Sequence, residues 1–426
     1  LRKFYKVRIF FYLNPSMYIV IHYSEIGLKG KNRAFFEKKL ANNLASLLYG
    51  VKKVQRRYGR IIIEMKKKID PAEYIRKISF IPGVSAFAFA EKINIYNVET
   101  SLEPASMRTE QTQTIDNIKK IALKILSKKN FRTFGIKTIR SNKQFSLKSS
   151  EINIIIGDLI RTKLNKKVDL GNPDATLFIE ITEKEVFIYT DKYNGIGGLP
   201  VSSSGKVVAL LSGGIDSPAA SFLAMKRGLK IVFAHILNRS MSGNREGIAK
   251  IENIVKKLTE VQGGSQLYVV PFEEIQKTII ARIPAEFRMI VYRRFMMEIA
   301  EAVAKREGAG GIITGDSIGQ VASQTLENIR CIYEGLKLPV LPPLIGMNKE
   351  EIIKVARDIG TYELSIVPYP DCCSFMIAKH PETKADIDAI KKLESLIVDK
   401  AKLVKKSVGM ATVKRVTCNT KGIWEL

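Results

Sequence analysis

The stretch Val207–Arg227, VVALLSGGIDSPAASFLAMKR, constrains the fold more than any other part of the chain. VVALL is a short apolar run of the kind that forms a strand covered on both faces. Two glycines follow it, and then a segment whose apolar residues recur at helical spacing, which predicts a helix opening near Ser217. A buried strand that turns directly into a helix is the unit of a parallel sheet flanked by helices. Ser212, Gly213 and Gly214 offer hydroxyl and backbone N–H groups without side-chain bulk, and the helix start adds the positive end of its dipole, so the turn suits phosphate. It lacks the lysine that Walker-type loops place after the last glycine. A glycine-rich turn with no ligand is the alternative that the residues alone leave open.

The surrounding pattern predicts a chain of mixed α/β and α+β domains. From Val207 onward the strands VVALLS, LKIVFAHIL, SQLYVVPF and GGIITGD alternate with helical stretches. This predicts a doubly wound parallel sheet over 207–426, with ligands at the carboxyl ends of its strands. The run Gly308–Gly311 precedes the last of these strands and reads as a helix stop. Upstream, residues 17–78 read as strand, helix, strand pair and helix, an α+β unit of ferredoxin-like type, with Pro71 opening the last helix. Residues 79–192 form a second basic unit. It holds the helix IDNIKKIALKILSKK, the alternating strand FRTFGIKTIR, the helix SSEINIIIGDLIRTKL with a serine cap, and the hairpin LFIEITEKEVFIYTDKY. Residues 193–206, rich in Gly and Ser, read as a connection. Residues 1–16 are expected to be an N-terminal extension, since their apolar patch lacks a convincing small-residue cleavage site.

A length of 426 residues suggests about three domains. Lys and Arg number 69 against 42 Asp and Glu, a formal charge of +27. Such an excess favours a polyanionic partner, with nucleic acid first and an anionic membrane surface as the competitor. No apolar run approaches the roughly 18 residues that a membrane-spanning helix needs. The cysteines, Cys331, Cys372, Cys373 and Cys418, are too few for a disulfide framework in a chain this long, which fits a reducing cytoplasm. The cations Lys29, Lys31 and Arg33 cluster at a helix start, where the dipole favours anions, so they form either a solvated loop or a phosphate contact.

SGGIDSP resembles the PP-loop of ATP pyrophosphatases, which cleave ATP between its α and β phosphates. Further ordered matches are SEIGLKGKNRAFFE (Ser24–Glu37), FGIKTIRSNKQF (Phe134–Phe145), VDLGNPD (Val168–Asp174), VYRRFMM (Val291–Met297), TGDSIGQVASQTLENIR (Thr314–Arg330) and PYPDCCSFM (Pro368–Met376). Together they make the chain from Met17 onward resemble the tRNA 4-thiouridine synthetase family, also called the thiamine biosynthesis sulfurtransferase family. The resemblance implies that residues 79–192 are a THUMP domain holding tRNA and that residues 207–426 are the PP-loop domain. It implies a reaction in which magnesium ATP adenylates O4 of a uridine, at position 8 of the tRNA, with loss of pyrophosphate. Sulfur then displaces AMP. Sulfur supply to the thiamine thiazole is a second family role, and a homodimer is also implied.

Residue by residue, the resemblance assigns Leu210, Leu211, Ser212, Gly213, Gly214 and Ser217 to the nucleotide, and His235 and Ile236 to an adenine pocket. It assigns Arg293, Gly315 and Gln324 to further ATP contacts. Asp216 would hold magnesium, although a carboxylate there also suits a helix cap. Taken alone, His235 reads as a core residue, Arg293 beside Arg294 as a helix surface, and Lys349 as one surface cation among many. The family match makes Lys349 a catalytic group that meets phosphate charge. It also makes Lys29, Lys31, Arg33, Arg140 and Lys143 tRNA contacts.

Cys373 matches the family's essential cysteine, and Cys372 accompanies it. A thiolate in a polar loop can attack or carry persulfide, and buried inert thiols are the competing reading. The chain ends at Leu426 with no room for a rhodanese domain, so the sulfur donor is expected to be sulfide or the persulfide of a cysteine desulfurase. Either Cys372 or Cys418 would partner Cys373. An iron–sulfur cluster is a further option, although the spacing matches no ferredoxin run. Two other functions compete. A PP-loop ligase or amidotransferase acting on a small metabolite explains SGGIDSP but neither the basic N-terminal half nor Cys373. A non-catalytic tRNA-binding protein is opposed by the intact Asp216, Lys349 and Cys373.

Overall fold

The computed structural model describes residues 17–57, 59–66, 69–95, 104–141, 145–237, 245–368 and 378–417. The chain divides into two compact units, Leu1–Gly197 and Gly198–Leu426.

In the first unit, period-two alternation of β-branched and aromatic residues builds one long sheet. Its elements are β1 (Tyr18–His22), α1 (Arg33–Leu47), β2 (Val51–Arg57), β3 (Arg60–Met65), α2 (Pro71–Ser79), β4 (Ala86–Asn94), α3 (Pro104–Leu126), β5 (Thr133–Arg140), α4 (Ser149–Leu164), β6 (Lys167–Val168), β7 (Ala175–Ile181), β8 (Glu185–Tyr189) and β9 (Tyr193–Asn194). The strand order is β2-β3-β1-β4-β8-β7-β5-β6, with β9 on β4. One strand joins the two halves of the sheet: β4 pairs with β1 over Ala86–Ala90 and with β8 over Glu91–Asn94. Alternation sends Ile19, Ile21, Ile61 and Phe87 toward α1 and α2, and Leu177 and Ile179 toward α3 and α4. The opposite face carries Val20, Ile62, Ala88, Phe187 and Tyr189.

Asp70 caps α2 by accepting from the Ala72 N–H at 3.0 Å, with Pro71 as the first helical residue. The serine cap expected for α4 is not what forms. Ser149 is already helical, Lys148 is the capping residue, and the Glu151 carboxylate accepts the Lys148 backbone N–H at 2.5 Å. The glutamate at the third helical position supplies the half of a capping box that needs no serine.

The second unit comprises β10 (Lys206–Leu210), α5 (Asp216–Lys226), β11 (Lys230–Leu237), α6 (Arg245–Gln262), β12 (Gly264–Pro271), α7 (Glu273–Arg282), α8 (Arg288–Glu307), β13 (Ile312–Ile313), α9 (Leu326–Tyr333), β14 (Val340–Leu341), α10 (Lys349–Ile359), α11 (Tyr362–Ile366), α12 (Ile387–Glu394), α13 (Lys400–Gly409) and β15 (Thr412–Thr417). Its sheet order is β14-β13-β10-β11-β12-β15. Helix α8 ends at Gly308, whose φ of 60° is the left-handed helix stop read from the sequence. The strands are parallel with one exception that corrects the all-parallel expectation: β15 lies antiparallel to β12. TVKRVT carries a Lys–Arg pair between its valines and is largely exposed, a composition suited to an edge strand and unlike the continuous apolar runs of β10–β12. Because β10 lies between β11 and β13, the direction of winding reverses there, and a crevice opens beyond its carboxyl end. No helix among the described residues is long and apolar enough to cross a membrane.

Candidate functional site

The turn after β10 is knit by its own serines. The Ser212 backbone N–H donates to Ser217 Oγ at 2.9 Å, the two hydroxyls lie 3.2 Å apart, and the Gly214 N–H donates to Ser212 Oγ at 3.3 Å. Neither Gly213 nor Gly214 takes a positive φ, so these glycines provide space and exposed N–H groups, and backbone freedom is not what the turn requires. Gly315 serves close approach instead. A Cβ there would stand 3.0 Å from the Ser217 backbone nitrogen and 3.1 Å from the Asp216 carbonyl carbon. Gly315→Ala is therefore expected to lower the unfolding free energy by about 1–3 kcal/mol, the usual cost of forcing a methyl into a packed site. Urea denaturation of the full chain measures it, and an unchanged midpoint would refute the contact.

Asp216 is the first residue of α5. Its Oδ1 accepts from Lys349 Nζ at 2.6 Å, and its Oδ2 accepts from Gln320 Nε2 at 2.8 Å. Lys349 is in turn the first residue of α10, whose start is fixed by a capping box between Asn348 and Glu351. Residues 133 positions apart thus meet because two helices begin at the same edge of the sheet.

Behind this pair lies a cavity of about 570 Å³. Of the residues expected at the nucleotide, Leu210, Ser212, Asp216, Ser217, Arg293, Gly315 and Gln324 line it. Lys349 reaches the site through Asp216. Leu211, Gly213, Gly214, His235 and Ile236 are not on the cavity wall. His235 is buried with Nδ1 2.8 Å from the Leu211 carbonyl, and Ile236 belongs to the core. The sheet explains this, since side chains near the end of β11 still pack within the unit and tie β11 to the end of β10.

The structure adds residues that the motif reading missed. Met289, Met296 and Met297 form an apolar wall with Arg293 among them. Their spacing on α8 is that of a single helical face, which is the signal that could have found them. Asp316, next to Gly315, is 3% exposed and accepts from Arg293 Nη2 at 2.6 and 2.7 Å, from Gln324 Nε2 at 3.1 Å and from the Tyr333 hydroxyl at 2.5 Å. Burial alone would raise its carboxyl, but the Arg293 charge and these donors outweigh burial and hold it below the ordinary carboxylate range. Burial and the neighbouring carboxylate push the Tyr333 phenol up.

For metal, Asp216 is the carboxylate within reach of the turn, because Asp316 is saturated by its donors. Among the described residues no group of three or more His, Cys, Asp or Glu could hold a metal ion. Cys331 is buried in α9, its thiol donates to the Ala385 carbonyl at 3.2 Å, and burial raises its pKa, so it is an inert core thiol. Cys372, Cys373 and Cys418 lie outside the described residues, as does Lys143.

In the first unit, two short 3-10 turns carry Lys29 and Lys31 directly into α1. Lys31 is exposed, and Lys29 Nζ sits 5.3 Å from the centroid of the Phe36 ring. Arg33 and Arg140 are engaged within the fold. Arg33 donates to Glu37 at 2.8 Å and to the Tyr23 hydroxyl at 2.7 Å, and Arg140 donates to the Phe145 carbonyl at 2.7 Å.

Residues 202–398 match the family model described as Thiamine biosynthesis protein (ThiI). Residues 18–88 match the ThiI ferredoxin-like domain, and residues 112–191 match the THUMP domain. A protein of Caldanaerobacter subterraneus subsp. tengcongensis described as "Probable tRNA sulfurtransferase" is 38% identical over 380 residues, covering 88% of this chain and 94% of the relative. A Brevibacillus brevis protein of the same description is 35% identical over 408 residues, covering 95% and 97%. The crystal structure of a 4-thiouridine synthetase–RNA complex with bound ATP superposes with a TM-score of 0.82 at 35% identity, covering 95% of this chain and all of that one. Likeness at this level, over nearly the full length of both partners, places the chain in the ThiI family.

Proposed function

We propose that this chain is an ATP-dependent tRNA sulfurtransferase that converts a uridine of tRNA to 4-thiouridine. The observation that carries the reading is the meeting of Asp216, Lys349 and the serine-knit turn at the mouth of an apolar-walled cavity. A cavity of about 570 Å³ lies within the usual range for small-ligand sites. The methionine wall suits a base, and the N–H groups of the turn suit phosphate. Gln324 Oε1 is buried with no hydrogen-bond partner among the described residues, an acceptor left for a ligand N–H.

In this reading O4 of the uridine attacks the α-phosphorus of ATP and pyrophosphate leaves. Adenylation is needed because a pyrimidine carbonyl oxygen is a poor leaving group. Negative charge develops on the α-phosphate and the departing pyrophosphate, where the N–H groups of the turn and the Lys349 ammonium meet it. Asp216 would hold magnesium through one carboxylate beside waters and phosphate oxygens, the mode that this ion prefers, and the bound ion would neutralise phosphate charge. A sulfur nucleophile then adds to C4, and AMP departs with O4. Sulfide attacks C4 directly, or the persulfide of a cysteine desulfurase passes its outer sulfur to the Cys373 thiolate and leaves as a thiolate. Attack of the Cys372 or Cys418 thiolate on the inner sulfur then releases hydrosulfide as the nucleophile and leaves a protein disulfide that an external dithiol reduces. Lys29 and Lys31 are proposed tRNA phosphate contacts, and a homodimer in a reducing cytoplasm is the expected setting.

The test is nucleoside mass spectrometry after incubating the full chain with unmodified tRNA, magnesium ATP and either sulfur donor. The expected product, 4-thiouridine, requires ATP, and with the persulfide donor Cys373→Ser is expected to abolish it while pyrophosphate release continues. Thiolation without ATP, or absence of both AMP and product with the unaltered chain, would overturn the reading.

A further inference from the structure

We infer that Asp316 is a positioning residue that selects the nucleotide base by fixing the polarity of the Gln324 amide. The inference rests on the ATP-dependent reading of the site. A glutamine amide is ambivalent, since either end can face a ligand, and its neighbours decide which does. Asp316 is ionised, and an ionised carboxylate only accepts hydrogen bonds. It therefore holds Gln324 by its Nε2 at 3.1 Å and leaves Oε1 as the end without a partner. The clamp is rigid because the same carboxylate is gripped on both oxygens by Arg293 Nη2, at 2.6 and 2.7 Å, and on Oδ2 by the Tyr333 hydroxyl at 2.5 Å. Tyr333 is itself tied to Thr314 at 2.9 Å, and Arg293 Nη1 to the Ser323 carbonyl at 3.2 Å.

Gln324 lines the same cavity as the methionine wall, which suits a base. An acceptor there suits a base bearing an exocyclic amino group at the position it faces, as adenine has, and opposes a carbonyl oxygen at that position, as guanine has. A site built around a directed hydrogen bond rejects an analogue that cannot make it far more strongly than an apolar pocket can. Asp316 also neutralises Arg293, so the pair contributes direction to this end of the cavity without adding net charge.

The experiment compares kcat/KM for ATP and GTP, read as AMP or GMP release by the full chain with magnesium and unmodified tRNA, for the unaltered protein, Asp316→Asn and Gln324→Met. In Asp316→Asn the new side-chain amide can donate as well as accept, which frees Gln324 to turn over, so the preference for ATP over GTP is expected to fall by at least about tenfold. Gln324→Met removes the acceptor with little change of shape and is expected to erode the preference equally, while the double variant falls no further than the single ones. A merely structural role would lower both nucleotides' rates together and leave their ratio unchanged. An unchanged ratio in soluble Asp316→Asn overturns the inference. Should that variant not fold, an unchanged ratio in Gln324→Met overturns it. If the unaltered chain releases no AMP, the ATP-dependent reading itself has failed, an outcome distinct from either.

Discussion

Asp216→Asn is expected to slow AMP formation by about 10²–10³-fold, the usual cost of removing one group from a pre-arranged charge-stabilising site. The carboxylate does two things that the amide cannot do at full strength. It orders Lys349 through a 2.6 Å charge-assisted hydrogen bond, and it offers the hard anionic oxygen that a magnesium ion requires. Loss of stability cannot explain such an effect. Asp216 is half-buried at the first position of α5, where exchanging a carboxylate for an amide costs no more than about 1 kcal/mol through the helix dipole. A slowing of 10²–10³-fold corresponds to about 3–4 kcal/mol of barrier. The decisive measurement is AMP release under saturating tRNA, with tRNA affinity measured in parallel and expected to stay within about twofold, because the substitution lies in the catalytic unit. A rate within tenfold of the unaltered protein would remove Asp216 from the proposed chemistry.

Glu180→Gln is expected to destabilise the first unit by about 3–5 kcal/mol, the cost of removing one partner from a buried ion pair. Glu180 lies on β7 with its side chain 1% exposed, on the sheet face opposite the helices. It pairs with Arg60 of β3, receives His22 Nε2 of β1 at 2.7 Å and accepts from the Tyr189 hydroxyl of β8 at 2.5 Å. Four strands from both halves of the sheet therefore converge on one carboxylate. Burial by itself would raise the pKa of Glu180, but the hydrogen bond and charge of His22, with Arg60 and Tyr189, bring it from an ordinary 4.5 down to about 2. A folded value below the unfolded one stabilises the fold wherever the carboxyl is ionised. The contribution is therefore complete above about pH 4.5 and is lost as pH falls toward 2. Calorimetry of the full chain should show the first unit's transition about 10 °C lower in the variant at neutral pH, converging with the unaltered protein at strongly acid pH. Equal stabilities at neutral pH would show that this network does not hold the two halves together.

Much of the catalytic unit was legible because its signals are local. A continuous apolar run, two glycines and a helical period predict a strand, a turn and a helix start, and β10 and α5 flank that turn, with Ser212, Asp216 and Ser217 lining the cavity. Gly308 read as a helix stop for the same reason, since a left-handed residue is a local requirement. Arg293 and Arg294 show where local reading ends. They are adjacent on one helix, yet Arg293 faces the cavity, while Arg294 is buried against Glu394 at 2.8 Å. A rotation of one residue along the helix separates a cavity-facing cation from a buried structural one, and sequence spacing says nothing about where α8 points. His235, which taken alone reads as a core residue, is buried with Nδ1 2.8 Å from the Leu211 carbonyl, a contact between β10 and β11.

The sequence by itself determined the main strands and helices, that the strands β10–β13 would wind in parallel around a glycine-rich strand-to-helix turn, and that the chain carries a large positive charge. Those properties depend on residues within a few positions of one another, or on composition. Only the tertiary structure decided that Lys349 reaches Asp216, that Asp316 saturates itself on Arg293, Gln324 and Tyr333, and that Glu180 binds strands from both halves of the first sheet. It also decided that the largely exposed segment TVKRVT would close the second sheet as an antiparallel edge. Each of these joins groups distant in sequence through a directional contact. Such contacts are fixed by the angles and registers at which whole elements pack, which no local pattern encodes.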